Sequence, residues 1–232
     1  MEDEVRKHTR KIFRAAKNKK SSIGVKLAEI IVEVFIIVLS VTLSIGLHNW
    51  SLHRHQQKEA TEFLTDLKDD LNLDIKSMSE KNTQMSKAIK DYSFLRNLTE
   101  ERLDSLSAAK TEIGIGVYYV IRKTNDGNYE GFKSSGKIGY IENKKLKKLI
   151  LGYYQESMPS IGETEKYYNS RLGKIEELIY QDKDKKEKLL DPVLKTALEF
   201  VIQNAVNNKN NYDSIIKQAE ELISEIEKEI NE

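Results

Sequence analysis

A single apolar run near the N-terminus constrains this chain more than any other feature. Residues Val34–Leu52, VFIIVLSVTLSIGLHNWSL, contain no Asp, Glu, Lys or Arg, although 32% of the 232 residues are charged. At 1.5 Å per residue, a helix from Ile30 to Trp50 is about 31 Å long, close to the hydrocarbon thickness of a bilayer. The run therefore predicts a transmembrane helix over residues 29–50.

The charges on the two sides of this run are unequal. Residues 1–28 contain nine Lys or Arg and three acidic residues, whereas residues 29–232 contain 29 basic and 34 acidic residues. Basic residues beside a span are retained in the cytoplasm. We therefore expect residues 1–28 to form a basic cytoplasmic segment. The chain beyond the span is expected to lie outside the cytoplasm, with the protein in a bacterial inner (plasma) membrane.

Two other interpretations of the apolar run compete with a span. A cleaved signal peptide would use the small residues of Ser44–Gly46, but its basic region would be unusually long, and Glu29 and Glu33 lie where a signal peptide is apolar. A buried helix of a soluble protein would need a matching apolar shell that the remaining sequence lacks. The transmembrane interpretation is favoured over both.

Beyond the span the sequence is typical of helices. Only two prolines occur, Pro159 and Pro192, and apolar residues recur three and four positions apart from Phe63 to Leu106. We predict an all-α fold in which the transmembrane helix continues into a long helical or coiled-coil stalk over 51–112. An antiparallel helical bundle or coiled coil follows over 113–232. Within the stalk, Thr99-Glu100-Glu101 predicts a new helix start.

Residues 113–121, IGIGVYYVI, are the least helical part of the sequence. Spaced glycines and β-branched residues precede a turn cluster at Asn125–Asn128. The segment is either a strand of a β-hairpin or a helix entering a loop. Its length and helical surroundings favour the second alternative.

The predicted span carries a polar face formed by Glu29, Glu33, Ser40, Ser44 and His48. Ionisable groups in hydrocarbon are costly and usually face protein or water. The acids could simply mark the headgroup level. Alternatively, the two serines allow close helix approach and the face is an oligomer seam, or it lines an ion path. Asn49 and Trp50 follow at the outer edge, where Trp is a common interfacial anchor.

The residue inventory argues against most catalytic chemistry. Cysteine is absent and all four histidines lie within the first 55 residues, which excludes thiol and Ser-His-Asp catalysis and His- or Cys-based zinc sites beyond them. The acids Asp66, Asp69, Asp70 and Asp74 resemble a solvated helix face and lack the glycine of a calcium loop. We therefore predict no catalytic residue, metal or cofactor. The net charge of −5 beyond residue 28 argues against nucleic acid as a partner.

Two stretches resemble a large family of bacterial single-pass membrane proteins of unknown function. The first, AEIIVEVFIIVLSVTLSIGLHNWSLHR, has a Glu that opens the span and an Asn-Trp exit; the second is NYEGFKSSGKIGYIENKKLKKLILGYY. The matching residues are Glu29, Asn49, Trp50, Ser135, Gly136, Asn143, Leu146, Tyr153 and Tyr154. Ala28, Glu33 and Ser51 depart from the family pattern. The resemblance implies the topology and a helical outer domain, and it implies no activity.

The second stretch also has a physical interpretation of its own. Gly136, after Ser135, permits a left-handed turn, and Asn143 is a good N-cap for a helix that ends near Tyr153 and Tyr154. The favoured interpretation is a helix-turn-helix corner packed by tyrosines. The alternative is a ligand or partner site on that corner.

We expect a non-enzymatic interaction or assembly subunit that is anchored in the lipid bilayer and forms a homo-oligomer. Another membrane protein is a further candidate partner. Two alternatives stay open. One is an extracytoplasmic ligand sensor that signals through a partner, and the other is an oligomeric channel lined by Glu33 and Ser40 of the single span.

Overall fold

A computed structural model gives the fold and describes residues 6–7, 10–11, 14, 23–121, 123, 125–182 and 184–231, without the side chains of residues 23, 25 and 26. Every regular element in these ranges is helical and none is a strand, so the predicted all-α class is confirmed. The helices are α1 Ile23–Arg96, α2 Glu100–Ala108, α3 Gly127–Ser134, α4 Lys144–Gly152, α5 Met158–Ile179, α6 Lys185–Leu190 and α7 Pro192–Asn231, with a 3-10 turn at Lys137–Tyr140 and a π turn at Tyr153–Ser157.

The chain divides into two compact units, residues 1–59 and residues 60–232. Helix α1 is a single helix of 74 residues and supplies residues to both units. Its N-terminal part is long and apolar enough to cross a membrane, and none of its apolar 18-residue window is buried. Phe35 and Leu47, for example, are each 64% exposed. The apolar N-terminal helix predicted from the sequence is therefore present.

The end of α1 follows the local sequence signals. The helix stops at Arg96, and α2 restarts at Glu100, as predicted. Thr99 is the N-cap of α2, because its hydroxyl accepts a hydrogen bond from the Arg102 amide at 3.3 Å. Acidic residues in the first turn, Glu100 and Glu101, add a favourable interaction with the helix dipole.

The second unit is built on buried positions that alternate between steps of three and four residues. On α1 they are Leu64, Leu67, Leu71, Asp74, Met78, Lys81, Met85, Ala88, Tyr92 and Leu95. On α7 they are Leu194, Leu198, Val201, Ala205, Asn208, Tyr212, Ile215, Ala219, Leu222 and Ile226. This spacing keeps one face of each helix turned toward the shared core.

Polar contacts give the direction of the long helices. Three pairs join α1 to α7 with numbers that rise on one helix and fall on the other: Lys68 with Glu227, Asn82 with Asp213, and Arg96 with Glu199. Similarly, three pairs join the α4–α5 stretch to α7: Lys145 with Glu225, Ser157 with Gln218, and Glu165 with Tyr212. Helix α7 therefore runs antiparallel to both.

A π turn connects α4 to α5 without ending the helical path. Pro159 lies in the first turn of α5 and has no amide hydrogen, and its ring would clash with the carbonyl of Gln155 in a regular α-helix. The wider π turn at Tyr153–Ser157 removes that conflict. It also buries Tyr153 and Tyr154 side by side.

Residues 113–121 form neither a strand nor a helix. Instead, side chains of α1 and α5 bind the backbone of this extended segment. Asn169 accepts a hydrogen bond from the Val120 amide at 2.9 Å and donates one to its carbonyl at 2.8 Å. Tyr92 donates to the Gly116 carbonyl and Gln84 to the Tyr119 carbonyl, each at 2.9 Å. These bonds replace those that a neighbouring strand would supply.

Candidate functional site

The predicted polar face of the apolar helix lies on α1 in the first unit. Glu29 and His48 are exposed, whereas Glu33 and Ser44 are partly buried. The Glu33 carboxylate is 3.8 Å from the Lys11 ammonium. The Ser40 hydroxyl donates to the carbonyl of the residue four positions earlier at 2.7 Å, which leaves this small side chain exposed with its proton satisfied.

The predicted outer anchor follows directly after His48 on α1. Asn49 is exposed and Trp50 is 58% exposed. The guanidinium of Arg54 lies 5.1 Å from the centre of the Trp50 ring, which is a cation–π contact.

The predicted corner has the backbone geometry that its sequence indicates. Gly136 has φ = 76°, and Ser135 donates its hydroxyl hydrogen to the Phe132 carbonyl at 2.8 Å. Asn143 caps α4, because its Oδ1 accepts from the amides of Lys145 and Leu146 at 3.1 Å. The left-handed turn and the N-cap are therefore confirmed. The Asn143 amide group also donates to Glu229 of α7 at 2.7 Å, which ties the corner to the C-terminal helix.

Tyr153, another of the predicted corner residues, contacts the buried carboxylate of Asp74. The sequence predicted a solvated helix face for this acid. Asp74 is 1% exposed and accepts hydrogen bonds from the Tyr153 hydroxyl at 3.0 Å and from the Asn125 amide at 2.9 Å. The expectation for Asp74 was wrong, because this residue occupies a core position between Leu71 and Met78. The three-and-four spacing identifies that position, although a stripe traced through apolar residues alone omits it.

A cavity of about 510 Å³ opens beside the π turn, entirely within the second unit. Its wall is formed by the extended segment and its following loop on one side and by the π turn and α5 on the other. The lining residues are Val120, Asn125, Asp126, Tyr154, Met158, Pro159, Gly162, Glu163, Glu165, Lys166 and Asn169. The volume is in the range of small-molecule sites.

Tyr154, the last of the predicted corner residues, belongs to this cavity. Its ring stacks on Tyr129 at 4.4 Å, and its buried hydroxyl has no hydrogen-bond partner among the described residues. Burial, followed by the negative charges of Asp74, Asp70 and Asp126, raises the pKa of Tyr154. Unpartnered buried hydroxyls are rare in folded proteins and are costly.

The acids around this cavity differ in their surroundings: Glu163 and Glu165 each contact a lysine, whereas the Asp126 carboxylate has no ion pair among the described residues. The pKa of Asp70 is raised by partial burial and by the charges of Asp66, Asp69 and Asp126, while a hydrogen bond from Asn128 lowers it. On the cavity wall, the one lysine among the described residues is Lys166, whose ammonium is 2.6 Å from Glu163.

A buried ion pair lies next to the cavity and joins three helices. The Lys81 ammonium of α1 is 3.0 Å from Oε1 of Glu165 in α5, and the two side chains are 8% and 4% exposed. The Tyr212 hydroxyl of α7 donates to the same oxygen at 2.9 Å. Sequence reasoning missed this group, because Lys and Glu are ordinarily surface residues.

Two tyrosines of the extended segment, and Tyr92 of α1 beside them, have raised pKa values. A hydrogen bond to Asp91, with smaller effects of burial and of the Asp91 charge, raises the pKa of Tyr118 to about 12. Burial is the main cause of the raised pKa of Tyr92, and a hydrogen bond to Glu176 is the main cause for Tyr119. Within the described part of the chain, no group of three or more His, Cys, Asp or Glu side chains could hold a metal ion.

Comparison of the chain with protein-family models, curated proteins and solved structures finds no match. The class of this protein is therefore described from its fold and geometry alone. It is an all-α protein with one N-terminal helix long and apolar enough to cross a membrane. Its second unit is helical and contains a cavity of about 510 Å³.

Proposed function

We propose that this chain is a single-pass protein of the bacterial inner membrane and acts as a non-enzymatic interaction or assembly subunit. One observation carries the proposal: the apolar window of α1 has no buried residue, although burying such a surface is the main favourable term in folding. A bilayer would remove this surface from water. The proposal includes membership of the single-pass family that the sequence resembles.

The proposed topology has residues 1–28 in the cytoplasm and the second unit outside it. The basic excess before residue 29 supports this orientation. The Trp50–Arg54 contact supports an outer anchor, because both side chains combine an apolar part with a polar tip suited to the interface.

Alkaline carbonate extraction combined with reporter fusions tests the anchor and its direction. A phosphatase fused after residue 232 should be active, and the protein should remain in the pellet. Release into the supernatant would refute the anchor. Activity of a reporter that works only in the cytoplasm would refute the topology.

We propose further that the second unit is an antiparallel helical bundle with coiled-coil packing, and that the chain forms a homo-oligomer through the Glu33, Ser40 and Ser44 face of α1. The alternating steps of three and four between buried residues support coiled-coil packing. The exposed Ser40 supports the seam, because small residues allow close helix approach in a membrane.

A matched pair of variants tests the seam. Ser40 and Thr42 are both exposed and both donate to the carbonyl four residues earlier, at 2.7 and 2.8 Å, but they lie on opposite sides of the helix. Ser40→Leu should dissociate the oligomer in mild detergent, measured by light scattering, while Thr42→Leu should leave it intact. Equal behaviour of the two variants would refute this seam.

The cavity beside the π turn favours a second candidate function, ligand sensing by the second unit. Its volume of about 510 Å³ suits a small molecule, and π turns are frequent at functional sites. The cavity wall and the Asp74 hydrogen bonds link three separate parts of the chain. A bound ligand would therefore act on α1, α5 and the extended segment together.

A further inference from the structure

We propose that the cavity beside the π turn binds a small organic cation of the ammonium class. The inference rests on the second candidate function, which makes this cavity a ligand site, and it adds the chemistry of the ligand. It follows from three observations: the balance of charge around the cavity wall, the Tyr154 hydroxyl without a hydrogen-bond partner, and the volume of the cavity.

Among the described residues that line the cavity, acids outnumber basic side chains. Asp126, Glu163 and Glu165 line it, and Asp70 and Asp74 lie behind Tyr154. Lys166 and Lys81 each contact one of these acids, Glu163 and Glu165 respectively. The Asp126 carboxylate has neither a hydrogen bond nor an ion pair among the described residues, and it does not cap α3. An anion placed here would meet like charge, whereas an ammonium group would relieve it.

The wall also provides groups that recognise a cation in other ways. Tyr154 is 7% exposed, and its hydroxyl oxygen has no donor among the described residues. An ammonium N–H would satisfy that oxygen. Tyr154 also stacks on Tyr129 and meets Tyr153 edge to face at 5.0 Å, so its ring is held in place at the cavity wall.

The size of the space separates an organic cation from a metal ion. A bare ion would occupy a small part of about 510 Å³. Among the described residues, no three His, Cys, Asp or Glu side chains meet in a group that could hold a metal. The apolar Val120, Met158 and Pro159 fit methylene or methyl groups beside the charge.

Thermal shift and isothermal titration calorimetry of the full-length protein in a non-ionic detergent test the inference. The probes are putrescine, spermidine and choline, with 1,4-butanediol as an uncharged analogue and succinate as an anion. At least one of these three cations should bind saturably and raise the melting temperature. Butanediol and succinate should not bind.

Three variants assign that binding to the cavity. Asp126→Asn should weaken amine binding about ten- to a hundredfold, because it removes a charge-assisted contact. Tyr154→Phe should weaken it about fivefold, because the ring stays and the hydroxyl is lost. Asp182→Asn removes the same charge from an exposed position outside the cavity and should bind as the unaltered protein does. Circular dichroism checks that each variant is folded.

The possible results separate this inference from the proposals on which it rests. Absence of saturable binding by all three cations would overturn it, as would unchanged affinity in Asp126→Asn. Binding of butanediol or succinate that Tyr154→Phe weakens would overturn the cationic class while supporting a ligand site. Carbonate extraction reports on the membrane anchor independently of all of these results.

Discussion

The buried ion pair of Lys81 and Glu165 leads to a prediction about stability. The burial of the pair determines how large the change in the free energy of unfolding should be. Replacing Lys81 by Met removes the ammonium group and keeps an unbranched side chain of similar length. Because the paired side chains are 8% and 4% exposed, water does little to stabilise the remaining carboxylate. Loss of one partner from a buried pair costs about 3–5 kcal/mol. We expect a loss in this range for the free energy of unfolding of the Lys81→Met variant.

The double variant Lys81→Met/Glu165→Met should be more stable than Lys81→Met alone. It contains no uncompensated charge, and apolar replacement of a whole buried pair is often neutral or stabilising. The remaining cost is the loss of the hydrogen bond from the Tyr212 hydroxyl to Glu165 at 2.9 Å, about 1–3 kcal/mol. The two substitutions should therefore be strongly non-additive.

Urea unfolding of the full-length chain in non-ionic detergent, followed by far-ultraviolet circular dichroism, measures these differences. The control is Lys174→Met, since Lys174 is 2.6 Å from Glu177 but both side chains are more than 60% exposed. The Lys174→Met variant should lose less than about 1 kcal/mol of the free energy of unfolding. The reasoning would be refuted if Lys81→Met lost less than about 1 kcal/mol. It would also be refuted if the loss in the double variant equalled the sum of the losses in the two single variants.

Three further predictions concern the corner and the tyrosines. Gly136→Ala should lower the free energy of unfolding by about 1–2 kcal/mol, because φ at this position is 76°. The control Gly131→Ala lies within α3 with open space around it and should raise the free energy of unfolding by about 0.5–1 kcal/mol. Equal effects of the two substitutions would contradict this prediction. Asn143→Ala should cost about 0.5–2 kcal/mol by loss of the cap, and a neutral result would contradict it. The folded chain keeps the Tyr118 proton up to a pKa of about 12, whereas the unfolded chain loses it near a pKa of about 10, so stability should fall as the pH rises between these values. Urea midpoints across this pH range should show a shallower fall in Tyr118→Phe than in the unaltered protein.

Local chemistry made the helical framework predictable. The apolar N-terminal helix, the restart at Thr99, the left-handed turn at Gly136 and the cap at Asn143 depend on residues within a few positions of each other. Each signal is a short-range preference that tertiary contacts did not override.

The parts that were missed depend on partners distant in the sequence. The extended segment resembles a strand or a helix end in composition, but Asn169 binds Val120 from 49 residues away. Asp74 is buried because Tyr153, 79 residues later, donates to it. The cavity forms between two such separated segments, so no local pattern indicates it. The face of α1 in the predicted span was proposed from the sequence, and its role stays a prediction.

The buried polar residues suggest how the long helices keep their register. A core of Leu, Ile and Ala at alternating steps of three and four accepts a slip of one turn, about 5.4 Å, with similar burial. Such a slip would break the Lys81–Glu165 pair, at 3.0 Å, and the Asp74–Tyr153 bond, also at 3.0 Å. Each buried group left unsatisfied costs about 1–3 kcal/mol or more, against a total stability of about 5–15 kcal/mol. We infer that these few polar contacts exclude the slipped arrangements.

Engineered disulfides test this inference cleanly, because the chain has no cysteine of its own. Asn82→Cys with Asp213→Cys reports the observed register, in which these two side chains are in contact. Asn82→Cys with Lys209→Cys reports a slip of about one turn, since Lys209 lies four residues earlier on the same face of α7. The first pair alone should cross-link in the unaltered core. Both pairs should cross-link when Met replaces Asp74, Lys81 and Glu165 together. If that apolar core still forms the first cross-link alone, packing of the apolar residues is sufficient to set the register.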